Sequence, residues 1–153
     1  MIDKIKRLRN KESGFTIVEL LIVIVVIGIL AAITIVSYTG ITTQAKTAHA
    51  QQNASSVQSV ADAFNAENSK YPATTADFAA VSSAKLPAGI TLLISADPTA
   101  SNGETSIRYQ KYTDTTSSVV TGGAVTYWDF TTGATVTNSF GATTGGTLGN
   151  PAS

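Results

Sequence analysis

The sequence predicts an α+β protein, in which a long N-terminal helix packs on a small antiparallel β-sheet head. Three observations support this prediction. An apolar run fills residues 15–36, helical spacing of apolar residues follows it, and short alternating segments separated by glycine fill most of the remainder. The sequence accordingly divides into five parts: residues 1–14, 15–38, 39–69, 70–140 and 141–153.

Residues 1–14 form a basic leader. They hold five cations and two anions, a net charge of +3, whereas residues 15–153 carry −3 and the whole protein is formally neutral. A basic segment before an apolar run predicts a cytoplasmic N-terminus and translocation of the remainder. The cations of that remainder are scattered along the sequence, so no specific nucleic-acid site is predicted.

Residues 15–38 are predicted to form a membrane-spanning helix. At about 1.5 Å per residue, the run from Phe15 to Val36 crosses a hydrocarbon core of about 30 Å. It is longer than the apolar part of a secretory signal, and no small-residue cleavage site follows it. A plain signal anchor explains this much. It leaves Glu19 unexplained, because a carboxylate at membrane depth is costly and is by default a sign of function.

The segment Gly14-Phe15-Thr16-Ile17-Val18-Glu19-Leu20-Leu21 resembles the N-terminal signature of type IV pilins and the related pseudopilins. The resemblance implies that a membrane-embedded prepilin peptidase cuts between Gly14 and Phe15 on the cytoplasmic face. The same enzyme would then N-methylate the new Phe15 amine. Gly14 suits such a cleavage site, because a residue without a side chain can enter a narrow protease cleft.

Glu19 is predicted to accept the positive charge that cleavage creates. The new Phe15 amine lies one helical turn before Glu19 and on the same face. The two groups can pair within one subunit, or the amine of an incoming subunit can meet Glu19 of its neighbour in a filament. Breaking a buried pair of this kind costs about 3–5 kcal/mol, so pairing between subunits would also set their axial register.

The helix departs from the pilin pattern at one position. Many pilins have a proline at the position of Val36, within Ala31-Ala32-Ile33-Thr34-Ile35-Val36-Ser37-Tyr38. Proline kinks or opens a helix, so its absence argues against local melting on assembly. Gly28 remains as a point of flexibility, since glycine lowers helix stability by about 1 kcal/mol relative to alanine.

The same helix is predicted to continue through residues 39–69 and to end near Asn68, before Pro72. Apolar residues with helical spacing define the face that packs on the head: Val57, Val60, Ala61 and Phe64. An upstream stripe does not join this face in register, which predicts a bend or a change of packed face near Ala50. It consists of Ile41, Ala45 and Ala48.

Residues 70–140 are predicted to form the head. Thr74 or Asp77 caps a short helix over residues 74–78, and strands follow at residues 90–94, 106–112, 119–120, 124–130 and 135–136. Turns are predicted at residues 122–123 and 132–133. Short strands linked by hairpins predict an antiparallel sheet. The predicted core comprises Phe64, Tyr71, Phe78, Leu92, Ile107, Tyr109, Tyr127, Trp128 and Phe130.

Two further features complete the predicted head. Tyr127 and Trp128 are neighbours in a strand, so one of them is expected to face loops or another subunit. Residues 141–153 are mostly Gly, Thr, Ala and Ser, which predicts a flexible tail.

The sequence contains little that predicts catalysis, a metal or a cofactor. There is no cysteine, which excludes disulfides and thiolate chemistry, and the single histidine, His49, is expected on a solvated helix face. Four acids lack the spacing of a calcium loop, and a calcium site made from some of them is the alternative: Asp97, Glu104, Asp114 and Asp129. Asn53-Ala54-Ser55 matches a glycosylation acceptor, but it falls within the predicted helix.

The resemblance implies a structural filament subunit, used for motility, adhesion or DNA uptake. Its partners would be identical subunits in a helical homopolymer, the prepilin peptidase, an assembly platform with its ATPase, and the membrane before assembly. The precursor would lie in the cytoplasmic membrane and the assembled filament at the cell surface. One alternative is a pseudopilin of a type II secretion or competence system. Another is a signal-anchored extracytoplasmic binding domain or enzyme that keeps its leader.

Overall fold

The computed structural model describes residues 14–152, apart from the side chains of residues 36 and 37. It consists of two units, one ending at Thr39 and the other beginning at Gly40. Residues 1–13, nearly all of the predicted leader, lie outside the described residues, and so does the side chain of Val36, to which the prediction about the missing proline refers.

One helix, α1 (Ile17–Asn68), runs for 52 residues and confirms the predicted continuous helix. It ends where Ser69 adopts a positive φ of 56° and donates its N–H to the Asn65 carbonyl at 2.8 Å. Pro72 follows and cannot continue the helix. Among the described helices, α1 alone is long and apolar enough to cross a membrane, with a mean hydropathy of 3.2 in its most apolar window.

The predicted α+β class is confirmed, but the sheet is mixed. It has five strands: β1 (Thr91–Leu93), β2 (Ser106–Asp114), β3 (Val120–Asp129), β4 (Ala134–Gly141) and β5 (Gly146–Gly149). Strands β2, β3 and β4 are antiparallel neighbours, and β5 pairs antiparallel with β2. β1 pairs with β2 in parallel, because the connection of residues 94–105 brings the backbone back before β2 begins.

The turn predicted at Gly122 and Gly123 is wrong, since both residues lie inside β3. A Cβ on Gly123 would lie 2.7 Å from ring carbons of Phe140 and Tyr109. Glycine is therefore needed here for the close approach of two aromatic rings, which is one of the usual reasons for glycine in a strand.

The flexible tail predicted from composition is also wrong for part of residues 141–153. Residues 146–149 form β5, which pairs with positions 111–114 of β2. Beyond it, Ala152 donates its N–H to the Ala73 carbonyl at 3.1 Å and accepts from Thr75 N–H at 3.2 Å. Backbone hydrogen bonds hold this segment in place, and they do not require apolar side chains.

The core lies between α1 and one face of the sheet. The helical face predicted from Val57 to Phe64 is buried and extends to Ala50 and Ala54, whereas the upstream stripe beginning at Ile41 is exposed. Instead, the face that packs on the sheet continues upstream through Thr47, whose hydroxyl donates to the Asp129 Oδ1 at 3.0 Å.

The predicted core residues are largely confirmed. Phe64, Phe78, Ile107, Tyr109 and Tyr127 are buried, and Tyr71 and Leu92 pack against them. Trp128 and Phe130 are half-buried and lie outside this cluster, which corrects their assignment.

Phe140 belongs to the core but was missed, because no strand was predicted beyond residue 136. Its ring meets Tyr71 edge-on at 5.5 Å between centroids. Tyr109 packs edge-on against Phe78 at 4.8 Å, and its hydroxyl donates to the Pro72 carbonyl at 3.0 Å. Burial raises the pKa of Tyr109.

Two local predictions in the head are confirmed, the capped short helix and the opposite orientations of Tyr127 and Trp128. The short helix α2 (Thr75–Ala80) begins at a capping box, in which Thr74 accepts from Asp77 N–H and the Asp77 side chain accepts from Thr74 N–H. Tyr127 points into the core and Trp128 away from it, against the loop residue Gly103.

Candidate functional site

The start of α1 is organised by hydrogen bonds between Thr16 and Glu19. Thr16 donates its backbone N–H and its hydroxyl to Glu19 Oε2, at 3.0 and 2.9 Å, and Glu19 N–H donates to Thr16 Oγ1 at 3.2 Å. This is a capping box, with Thr16 as the N-cap and Glu19 three residues on. The carboxylate also lies at the positive end of the helix dipole.

The capping box changes how the unusual carboxylate is interpreted. In the intact protein the charge of Glu19 is already solvated by two donors of Thr16, before any Phe15 amine exists. The predicted pairing of Glu19 with that amine concerns the cleaved protein and stays a prediction.

Thr16 is the functional candidate that was not singled out from the sequence. A signal for it was present, since Thr16-Ile17-Val18-Glu19 is the Thr-x-x-Glu pattern of a capping box ahead of an apolar run.

The residues of the expected cleavage site precede the helix and are accessible. Phe15 is 86% exposed, and a Cβ on Gly14 would meet no atom within 4 Å. Nothing within the described residues therefore demands glycine at residue 14. A requirement for it would arise in the cleft of a partner that binds this segment.

The first unit presents an apolar surface on all sides of α1. Its large apolar side chains from Ile17 to Ile35, within the described residues, are 47–87% exposed. The helix continues through Gly28, where a Cβ would meet nothing within 4 Å. The proposed flexibility at Gly28 stays a prediction.

In the second unit, polar contacts attach the loop of residues 94–105 to α1. Asn53 Nδ2 donates to the Glu104 carbonyl at 2.9 Å, and Lys46 Nζ lies 3.9 Å from a Glu104 carboxylate oxygen. Lys46 also lies 5.5 Å from the centre of the Phe130 ring. Because Asn53 is buried and its amide is used in this contact, the glycosylation motif it belongs to serves structure here.

The four acids considered for calcium occupy separate hydrogen-bonded settings. Asp97 pairs with Arg108 at 2.7 Å, and Glu104 faces Lys46. Backbone N–H donors hold the pKa of the other two below its usual value: Ser117 acts on Asp114, and Thr131 acts on Asp129. Across residues 14–152, no three metal-ligating side chains come together. His49 is exposed on α1.

Comparison with known proteins connects the N-terminal region to a methylation motif, to type II secretion system proteins and to a type IV pilin. A family model described as the prokaryotic N-terminal methylation motif matches residues 9–35. The protein is 33% identical over 66 residues to the type II secretion system core protein G of Pseudomonas aeruginosa, covering 43% of this sequence and 46% of that protein. The corresponding protein of Aeromonas hydrophila is 30% identical over 66 residues, with the same coverage.

A pilin is similar to the same extent. The protein is 33% identical over 68 residues to the type IV major pilin protein PilA of Myxococcus xanthus, covering 44% of this sequence and 31% of the pilin. The match thus spans less than half the length of these curated relatives. No solved structure matches. The protein has the methylation motif, an α+β pilin-like fold, and both pilin and pseudopilin relatives.

Proposed function

We propose that this protein is a prepilin, a structural subunit that is cleaved after Gly14, N-methylated at Phe15 and polymerised into a type IV pilus filament. The observation that carries the proposal is the exposed apolar surface along α1 in the first unit, at whose start lies the capped carboxylate of Glu19. The methylation motif and the pilin relative support it.

The exposed surface requires a non-aqueous environment before and after assembly. Burying one large aliphatic side chain contributes about 1.5–3 kcal/mol, and α1 exposes many such side chains in its first unit. A bilayer covers them in the precursor, and the helices of identical subunits cover them in the filament. The same surface therefore serves as membrane anchor and polymerisation interface.

Cleavage supplies the charge that distinguishes the mature subunit from its precursor. The peptidase removes the basic leader and leaves an amine on Phe15, next to Thr16 and within reach of the Glu19 face. During assembly the carboxylate exchanges the donors of Thr16 for this amine or adds the amine to them. An assembly platform and its ATPase lift the subunit from the cytoplasmic membrane to the surface filament.

A pseudopilin of a type II secretion system is the second candidate. It is favoured by the similarity to secretion system core protein G from two organisms. The two functions share the processing, the membrane stage and the helix bundle. They differ in the filament that is formed, which can be tested by electron microscopy at native expression. Long surface filaments support the pilin, and filaments seen only on overexpression support the pseudopilin.

Replacing Gly14 tests the processing step. Gly14→Val should leave an unprocessed precursor in the membrane, because the branched side chain obstructs the peptidase cleft, whereas Gly14→Ala should be processed at least in part. Mass spectrometry of the N-terminus provides the measurement. Methylated Phe15 in surface material supports the proposal, and an intact Met1 there would support the signal-anchored alternative. Normal filaments from Gly14→Val would refute cleavage at this bond.

A further inference from the structure

The loop of residues 94–105 contains the dipeptide Asn102-Gly103, a pair that is chemically labile in flexible peptides. The backbone nitrogen of Gly103 can bond to Cγ of Asn102. The bond between Cγ and Nδ2 of Asn102 then breaks, and ammonia leaves with the Gly103 amide proton. Water opens the resulting succinimide to aspartate or isoaspartate. The reaction needs no oxidant, reductant or enzyme, only freedom of the backbone around Asn102.

The structure removes that freedom. The N–H of Gly103 donates to the Thr99 carbonyl at 2.7 Å, and Oδ1 of Asn102 accepts from the Thr99 N–H at 2.8 Å and its hydroxyl at 3.1 Å. The Asn102 carbonyl in turn accepts from Ser106 N–H at 2.9 Å. Thr99 therefore holds both the Gly103 nitrogen and the Asn102 side chain. The hydrogen bond from Ser106 restrains the Asn102 carbonyl as well.

Close packing over Gly103 adds a steric restraint. Gly103 is buried, and a Cβ at this position would collide with Trp128. Ring closure requires rotation about the backbone of Asn102, which would move Gly103 against Trp128. The same packing explains the glycine of the dipeptide, since a Cβ at residue 103 would collide with Trp128.

We propose that Asn102-Gly103 is a conformationally gated modification site, which loses its side-chain amide only when the loop of residues 94–105 opens. The gate comprises the turn at Thr99, the Trp128 contact and the hydrogen bond from Asn53 to the Glu104 carbonyl. Isoaspartate inserts a methylene into the backbone next to Gly103 and adds a charge beside Glu104. A head that carries isoaspartate cannot restore the original turn, and neither product regains the side-chain amide, so the modification records opening irreversibly.

Deamidation of Asn102 can be assigned to a single residue by mass spectrometry. Trypsin releases residues 86–108 as one peptide, in which Asn102 is the only residue with a side-chain amide. The full-length protein in detergent micelles and a synthetic peptide of residues 86–108 are incubated side by side at mildly alkaline pH. Mass spectrometry then follows the replacement of NH₂ by OH, and isoaspartate is identified by fragmentation.

We expect the folded protein to react at least about tenfold more slowly than the peptide, which corresponds to an opening free energy of about 1.4 kcal/mol or more. Urea below the unfolding transition should raise the rate towards that of the peptide. Equal rates in the folded protein and the peptide would overturn the proposal, as would a peptide that does not react.

Two variants locate the gate. Trp128→Ala and Asn53→Ala should each accelerate the reaction several-fold, whereas Ser55→Ala, an exposed position on the same helix, should leave it unchanged. Circular dichroism establishes which variants are folded. If Trp128→Ala does not fold, the reaction rate of Asn53→Ala provides the test. A folded Asn53→Ala protein that reacts at the wild-type rate, with urea also without effect, would show that the loop does not protect the site.

Discussion

At the residue scale, Thr16 provides the hydrogen-bond donors that make the charge of Glu19 tolerable. Its N–H and hydroxyl solvate the carboxylate in the intact protein, at 3.0 and 2.9 Å. A carboxylate in an apolar segment is thereby tolerable before its proposed partner, the Phe15 amine, has been made.

We therefore expect Thr16→Val to weaken the start of α1 by about 1 kcal/mol, the usual effect of losing an N-cap hydroxyl. Thr16→Ser keeps the hydroxyl and should behave like the wild type. Amide hydrogen exchange in residues 17–20 of the detergent-solubilised protein measures the difference. Equal protection in the two variants would mean that the capping box contributes nothing to the helix start.

Glu67 illustrates a second carboxylate used for structure. Its oxygens accept from the Ser82 hydroxyl and the Ser83 N–H, both at 2.9 Å, and from Ser82 N–H at 3.3 Å. Hydrogen bonds from Ser83 and Ser82 lower the pKa of Glu67 to about 2, from a usual value of 4.5. They join the segment after α2 to the end of α1.

This pKa predicts part of the acid sensitivity of the head. Because the folded-state pKa is depressed, the stabilisation is fully present above pH 4.5 and is lost as the pH falls towards 2. Glu67→Gln should lower the urea midpoint at neutral pH and flatten its dependence on pH over that window. Asp62→Asn, which removes a carboxylate from the same helix, is the control. A wild-type pH profile in Glu67→Gln would contradict the assignment.

At the element scale, local and long-range information separate clearly. Apolar spacing in α1 and the Thr74–Asp77 capping box depend on residues a few positions apart, so both were predictable. The parallel pairing of β1 and the addition of β5 to β2 depend on partners far along the sequence, and no local pattern indicates them. Gly122 and Gly123 look like a turn, yet both lie within β3. A Cβ would meet the Phe140 carbonyl oxygen at residue 122 and the rings of Phe140 and Tyr109 at residue 123.

Gly123→Ala tests that explanation. Overpacking of the two rings should destabilise the head by about 1–3 kcal/mol, measured by chemical denaturation of the full-length protein in detergent. Gly149→Ala is the matched control, because it also lies in a strand but a Cβ there would meet nothing within 4 Å. Equal stability of the two variants would show that the rings move aside without penalty.

At the scale of the whole molecule, the two units differ in how much apolar surface they expose to solvent. The head buries a cluster of aromatic residues between α1 and the sheet, whereas the large apolar side chains of the first unit are exposed. Such an arrangement makes sense for a subunit that is completed by a bilayer or by other copies.

We expect Glu19→Leu to reduce filament yield severely while leaving the precursor in the membrane and the head folded. The reason is that the incoming Phe15 amine would then be buried without a counter-charge, and an unpaired buried charge is strongly destabilising. Sheared filament yield and membrane subunit levels, measured together, provide the test, with Asp62→Asn as the control. Unchanged yield would remove Glu19 from the assembly mechanism.

The sequence by itself determined the membrane-length helix and the helical face that packs on the head, and it predicts a processing junction at Gly14-Phe15. Each of these depends on adjacent residues or on apolar residues that recur at short helical spacing, so the local sequence is enough to predict it. The tertiary structure decided the parallel pairing of β1 with β2, the addition of β5 to the sheet, the burial of Phe140 and the packing of Gly103 against Trp128. These depend on contacts between distant segments, whose partners are chosen by shape and hydrogen bonding once the protein has folded.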